Sequence, residues 1–216
     1  MALTEKDRIL IIGAGSKTAE ATHRILQSET PYDIYMVGRN VVETDTHTIR
    51  ADFTNRKDIK EICMKIRPSV IVNTAAYTNV DGCEIHKQEA WTVNVKGVEN
   101  LVQMCRLFDS HLIHFSTDYI FDGEKGPYTE EDIPHPIGYY GKTKLASENV
   151  CKTGHIPYTI IRTNVVYGSI STTSLDFVRW LIEKLEKKEK VRIVNDQYSN
   201  PTFIDDLGYA IERIIK

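Results

Sequence analysis

The sequence predicts an α/β fold built on a doubly wound parallel sheet. Three observations predict it: short β-branched runs alternate with longer helical patterns, those runs are apolar at successive positions, and a glycine turn follows the first run directly. Strands that are apolar on both faces must be covered on both, and helical crossovers between parallel strands provide that cover. Right-handed crossovers then wind the helices onto opposite faces of the sheet.

The expected strands, in order, are Ile9–Ile12, Ile34–Val37, a third and poorly marked one ahead of Asp52, Val70–Val72, Leu112–Phe115, Tyr158–Ile161 and Val191–Val194. Ala19–Gln27, Asp58–Ile66, Val93–Leu107 and Ser174–Lys188 carry apolar residues at spacings of three and four and are expected to be helices. The mixed-sign run Glu183–Lys190 reads as a solvated helix face. Asp122–Gly138 is rich in Gly and Pro and reads as an irregular loop of the kind that borders binding sites. Trp91 and Trp180 fall within helical patterns and read as core residues.

At 216 residues the chain is long enough for one large core, and one domain spanning residues 1–216 is the expectation. A formal charge of −3 leaves no basic excess, so neither nucleic acid nor an anionic membrane is an expected partner. The charged N-terminus leads straight into Ile9–Ile12 without the apolar segment of a signal peptide, and no run is long enough to span a membrane. Cys63, Cys83, Cys105 and Cys151 form no Cys-x-x-Cys pair, and the seven histidines are scattered, so no metal site is expected. A reduced, cytoplasmic setting fits this composition, with a homodimer possible.

Gly13-Ala14-Gly15-Ser16-Lys17-Thr18-Ala19 stands where a dinucleotide-binding turn belongs, between the first strand and the first helix. Gly13 allows the tight turn, Gly15 allows close approach of the backbone, and the helix N-terminus offers N–H groups to a pyrophosphate. The usual third glycine is missing, with Ser16 and Ala19 as the small residues nearby. Arg39 follows the second strand, where an acidic residue would hold the ribose hydroxyls of NAD; a cation suits the 2′-phosphate of NADP. NADP(H) is therefore preferred, with NAD(H) as the second choice. Asp52-Phe53 could hold the adenine, though residues of this type also cap helices.

Tyr140 and Lys144 stand four apart in a helical stretch and so project from one face. A phenol titrates near ~10, and an adjacent ammonium is expected to favour the phenolate. Tyr140 could then protonate a carbonyl oxygen as hydride reaches its carbon, while Lys144 holds the nicotinamide ribose. Spacing selects Tyr140 over Tyr139, since Thr143 lies four residues beyond the latter. Ser116-Thr117-Asp118 ends the fifth strand at the carboxyl edge of the sheet, where Thr117 could hydrogen-bond the same carbonyl.

Taken together these motifs give the chain a Rossmann-type core that resembles the extended short-chain dehydrogenase/reductases, and within them the dTDP-4-dehydrorhamnose reductase (RmlD-like) family. The resemblance rests on Val72–Asp81 (VNTAAYTNVD), Val93-Asn94, Phe115–Gly123 (FSTDYIFDG), Tyr140–Leu145 (YGKTKL), Arg162–Gly168 (RTNVVYG) and Asp196–Thr202 (DQYSNPT), in that order along almost the whole chain. It implies a catalytic trio of Thr117, Tyr140 and Lys144, with Asp118 beside the substrate. It also implies cofactor-lining positions at Ser16, Lys17, Thr18, Asp52, Phe53, Ala75, Ala76 and Tyr77, and reduction of the 4-keto group of a dTDP-linked deoxyhexose. Related dehydratases carry an acidic residue after the Thr-Asp pair, where this chain has Tyr119. The resemblance further implies a C-terminal substrate-binding segment that is short or absent in a chain ending at Lys216.

Two other functions compete. A non-catalytic cofactor-binding protein resembling the regulatory subunit of methionine adenosyltransferase would share the fold and motifs, and the missing glycine favours it. A sugar-nucleotide epimerase would need tightly held NAD, against which Arg39 and the Ser116–Asp122 stretch count.

Overall fold

In the computed structural model, which describes residues 7–43, 45–168 and 176–216, strand β1 (Arg8–Ile12) runs through the middle of a parallel sheet. Its neighbours are β2 (Asp33–Gly38) on one side and β4 (Val70–Asn73) on the other. β3 (Thr48–Arg50) extends the β2 edge, and β5 (His111–Thr117) and β6 (Tyr158–Thr163) extend the other, giving the order β3-β2-β1-β4-β5-β6. The order reverses between β1 and β4. At that reversal the helices leaving the two strands go to opposite faces, which opens a crevice at the carboxyl ends of the strands.

The alternation of side chains along β1 explains the two-sided core. Leu10 and Ile12 face helices α2 (Arg56–Ile66), α5 (Gly97–Phe108) and α6 (Tyr139–Thr153), while Ile9 and Ile11 face α1 (Lys17–Glu29) and α8 (Ile204–Ile215). All four are essentially inaccessible. The two faces fill differently: α1 and α8 approach closely because Gly208 lies against Ile25, where a Cβ would stand 2.5 Å from Ile25 Cδ1.

Helix ends follow local chemistry. Ser16 Oγ accepts from Ala19 N at 3.1 Å to start α1, Asn55 caps α2 through Lys57 N at 3.0 Å, and Arg67 and Asp109 close α2 and α5 in the left-handed conformation. Between β4 and α5 lie α3 (Val80–Ile85), α4 (Lys87–Trp91) and a π-helical turn, Thr92–Lys96. The loop from Asp122 to Gly138 is irregular, as expected, and enters through a 3₁₀ turn, Asp118–Ile120. β7 (Val166–Tyr167) and β8 (Thr202–Phe203) form a separate two-stranded parallel pair, and α7 (Phe177–Glu186) lies between them in sequence.

Three expectations need correction. Val191–Val194 is not a strand: its alternation is strand-like, but it meets no ladder partner among the described residues, and Ile193 and Val194 are exposed. The helix expected from Ser174 to Lys188 is described only from Phe177 to Glu186, with Ser174 and Leu175 outside the described residues. Trp91 and Trp180 are half-buried and belong to neither core cluster; Trp180 leans on Phe177 at 5.9 Å. No helix among the described residues is long and apolar enough to cross a membrane.

Candidate active site

The crevice is floored by two turns leaving adjacent strands. Gly13 and Gly15 adopt φ of +104° and +89°, conformations that only glycine enters without strain. Their roles differ. A Cβ at Gly13 would stand 2.6 Å from Thr74 Oγ1 and 2.8 Å from Ala75 N, so this glycine lets the β1 and β4 turns touch. At Gly15 no atom lies within 4 Å of the Cβ position, so the turn presents open space to a ligand. Thr74 ties the two turns, donating through Oγ1 to Ile12 O at 2.9 Å and standing 3.1 Å from Ser16 Oγ. Lys17 and Thr18 open α1, whose first-turn N–H groups have no partners within the helix. Lys17 Nζ reaches Asp176 at 3.4 Å, joining this turn to the start of α7.

The opposite end of the crevice is lined by Arg39, Thr54, His86, Lys87 and Thr92 around a cleft of about 540 Å³. Arg39 is half exposed and stands 3.9 Å from Asp52, so the two residues singled out for the adenosine half are neighbours. Asp52 is not the helix cap; Asn55 takes that role, and Asp52 accepts from Thr54 N at 2.9 Å and Thr54 Oγ1 at 2.8 Å. The Phe53 ring is packed into the core against Gly97 rather than opened to the cleft, and its carbonyl accepts from buried Asn100 Nδ2 at 3.2 Å.

Ala75, Ala76 and Tyr77 run along the crevice from the end of β4. Ala75 N is held by Asn73 Oδ1 at 3.1 Å, and the Tyr77 hydroxyl folds over Gly82 of α3. Buried Asn94, in the π-helical turn, accepts from Tyr77 N at 2.7 Å and donates to Tyr77 O at 3.2 Å and to Thr143 Oγ1 at 2.9 Å. Thr143 in turn donates to Tyr140 O at 2.8 Å. Sequence reading recognised Val93-Asn94 as a motif without a role; contact with both the Ala75–Tyr77 segment and α6 shows what the residue does.

At the end of β5, Thr117 Oγ1 donates to Asp118 Oδ1 at 3.1 Å and accepts from Tyr119 N at 3.3 Å. The first turn of α6 brings Tyr140 beside this hydroxyl, with the Tyr119 ring edge-on at 5.7 Å. Gly141 makes the approach possible, since a Cβ there would overlap the Tyr119 carbonyl. Burial pushes the Tyr140 phenol up to about 12, outweighing the Thr117 hydroxyl that pulls it down. Burial likewise raises the Asp118 carboxyl above its ordinary value.

Lys144 is 2% exposed, and its Nζ donates to Phe115 O at 2.7 Å. Burial lowers it to about 8, while nearby Cys151 and Glu148 act to raise it. The ammonium is therefore directed at the β5 backbone, and the expected lowering of the phenol by Lys144 is not what this geometry produces. Behind it, buried His114 bridges Asn73 Nδ2 at 3.1 Å and Ser147 Oγ at 2.9 Å. Ser147 donates its proton to Lys144 O at 2.7 Å, so His114 must donate from Nε2 and accept at Nδ1. That is the neutral imidazole, in accord with burial and the Lys144 charge holding its pKa well below the ordinary value.

A glycine turn lies at the switch point, with Thr117, Tyr140 and Lys144 brought together at the adjoining strand end. The family model for the RmlD substrate binding domain matches residues 7–216. The chain belongs to the RmlD family. A dTDP-4-dehydrorhamnose reductase of Aggregatibacter actinomycetemcomitans is 32% identical over 96% of this chain and 67% of its own length. A dTDP-4-keto-6-deoxy-D-glucose reductase of Streptomyces niveus is 32% identical over 97% of the chain and 69% of its own. The crystal structure of a Bacillus anthracis dTDP-4-dehydrorhamnose reductase in complex with NADP superposes with a TM-score of 0.86 at 32% identity, covering 97% of this chain and 70% of that one. This RmlD-family chain thus spans about two thirds of its relatives. Among the described residues no cluster of metal-binding side chains occurs.

Proposed function

We propose that the chain is a nicotinamide-dependent reductase that acts on the 4-keto group of a dTDP-linked deoxysugar. The observation that carries this reading is the convergence of Thr117, Tyr140 and Lys144 at the carboxyl end of β5, beside the glycine turn at the strand-order reversal. The relatives named as reductases of such sugars support the same choice.

NADP(H) fits the residues present, with NAD(H) as the alternative. The open face of Gly15 and the first turn of α1 at Ser16, Lys17 and Thr18 suit a pyrophosphate, and Arg39 lines the cleft where a 2′-phosphate would be met. Asp52, Phe53, Ala75, Ala76 and Tyr77 would flank the path between them. The bound cofactor would supply hydride. Thr117 and Tyr140 would then hold the sugar carbonyl oxygen between two hydroxyls, with Asp118 adjoining. A phenol titrating near 12 is fully protonated at neutral pH, which is the form required to give a proton to the developing alkoxide. Lys144 would hold the nicotinamide ribose. Residues 1–216 would act as one NAD(P)-binding unit, and the four free, buried cysteines support a reducing, cytoplasmic setting.

The deciding experiment is NADPH oxidation by the purified chain with dTDP-4-dehydrorhamnose, with NADH and Tyr140→Phe in parallel. Turnover that falls at least ~100-fold in Tyr140→Phe with cofactor affinity retained supports the reading. Cofactor binding without turnover in the wild-type chain overturns it and returns the weight to a regulatory protein.

A further inference from the structure

α6 carries a column of ionisable residues at intervals of one turn: Tyr140, Lys144, Glu148 and Lys152. The proposed reaction uses the first two. Glu148 is fully buried, yet it is not a core residue in the ordinary sense. Its carboxylate accepts from Arg162 Nε at 3.0 Å and Nη2 at 2.8 Å, and from Lys152 Nζ at 3.1 Å. Arg162 belongs to β6 and pairs in register with Ser116, the residue before Thr117. A buried carboxylate joined in this way stands one helical turn from a buried ammonium whose hydrogen-bond partner among the described residues is a backbone carbonyl.

We propose that Glu148, held in place by Arg162, is a positioning residue that keeps the buried Lys144 side chain charged at working pH. The inference rests on the reductase reading for its purpose, though not for its measurement. The groups facing Lys144 can be weighed in turn. On β5, His114 is neutral by its hydrogen bonds, and on α6 itself Tyr140 is a neutral phenol. Cys151, also on α6, is a thiol pushed by burial to about 12, so it carries no charge in the range where Lys144 titrates near 8. Asp118, beyond the end of β5, adjoins Thr117 and Tyr140. Glu148 is the anion that remains at the back of Lys144. Burial works to raise its carboxyl, but Arg162, the Ser116 hydroxyl and Lys152 overcome this and hold it below the ordinary value, so it stays ionised. Without its charge, Lys144, Lys152 and Arg162 would form an uncompensated cationic group, and the buried member would be the one to lose its proton.

The test is a ¹³C NMR titration of the chain labelled at lysine Cε, with Lys144→Met assigning the signal. Wild-type Lys144 should titrate near 8. Glu148→Gln should lower that midpoint by about one unit, the scale expected when an opposite charge about a helical turn away is removed. Lys152→Met, at a half-exposed position, should raise it by a few tenths of a unit by leaving more of the Glu148 field to Lys144. Equal midpoints in wild type and Glu148→Gln would overturn the proposal, because a purely structural Glu148 would cost stability without moving the titration. If Glu148→Gln does not fold, the direction of the Lys152→Met shift decides. A shifted titration in a chain without turnover upholds this inference while rejecting the reductase; turnover with an unmoved titration does the reverse.

Discussion

Asn94 satisfies both backbone groups of Tyr77, accepting from its N–H at 2.7 Å and donating to its carbonyl at 3.2 Å, and the same amide reaches Thr143 at 2.9 Å. The segment proposed to line the cofactor and the helix that carries Tyr140 are therefore held by one side chain. Asn94→Ala would leave the Tyr77 groups without this partner. The expected loss is about 2–4 kcal/mol in urea denaturation, together with weaker cofactor binding. Unchanged stability would mean that water replaces the amide and that the link is dispensable.

The two glycines of the turn should separate cleanly. Gly13→Ala combines a positive φ with a clash against Thr74 and Ala75 and should cost about 3 kcal/mol or more. Gly15→Ala meets no atom and should cost only the strain of its backbone, about 1–2 kcal/mol, while still weakening cofactor binding. Thermal unfolding and cofactor titration of the two variants check both halves; equal destabilisation would refute the distinction.

Lys144→Met should make the protein more stable and less active. Burial takes Lys144 from an ordinary 10.5 to about 8, which at neutral pH amounts to a penalty of about 3 kcal/mol, partly offset by its bond to Phe115 O. The net gain expected in the variant is about 1–2 kcal/mol. The sign with pH follows. Between about 8 and 10.5 the unfolded chain binds more protons at this site than the folded one, so wild type should gain stability relative to Lys144→Met as pH rises through that window. Parallel stability curves across the window would show that Lys144 is not the group that titrates.

Arg39→Ala should raise the dissociation constant for NADPH about tenfold and leave NADH within about twofold, the difference expected from one charge-assisted contact to a phosphate. The pairing with Asp52 at 3.9 Å is long and exposed, so its loss should barely affect stability. Equal weakening of both cofactors would remove the 2′-phosphate assignment.

The pattern of residues by itself determined the sheet and pointed to the candidate site at its strand-order reversal. Ile9–Ile12 and Val70–Val72 are apolar at every position, which only a strand covered on both faces tolerates, and Gly13 directly after Ile12 marks the turn at the strand-order reversal. The spacing of Tyr140 and Lys144 was legible for the same reason, because helical periodicity is local. What local pattern could not supply was the company each side chain keeps. Val191–Val194 alternates like a strand but has no ladder to join, and Phe53 turned into the core because Gly97, over forty residues away, leaves room for its ring. The protonation states were likewise decided in three dimensions. Burial, which depends on every element packed around a residue, raised Tyr140 and lowered Lys144, and the Glu148 carboxylate one turn from Lys144 is held ionised chiefly by Arg162, which β6 brings to it.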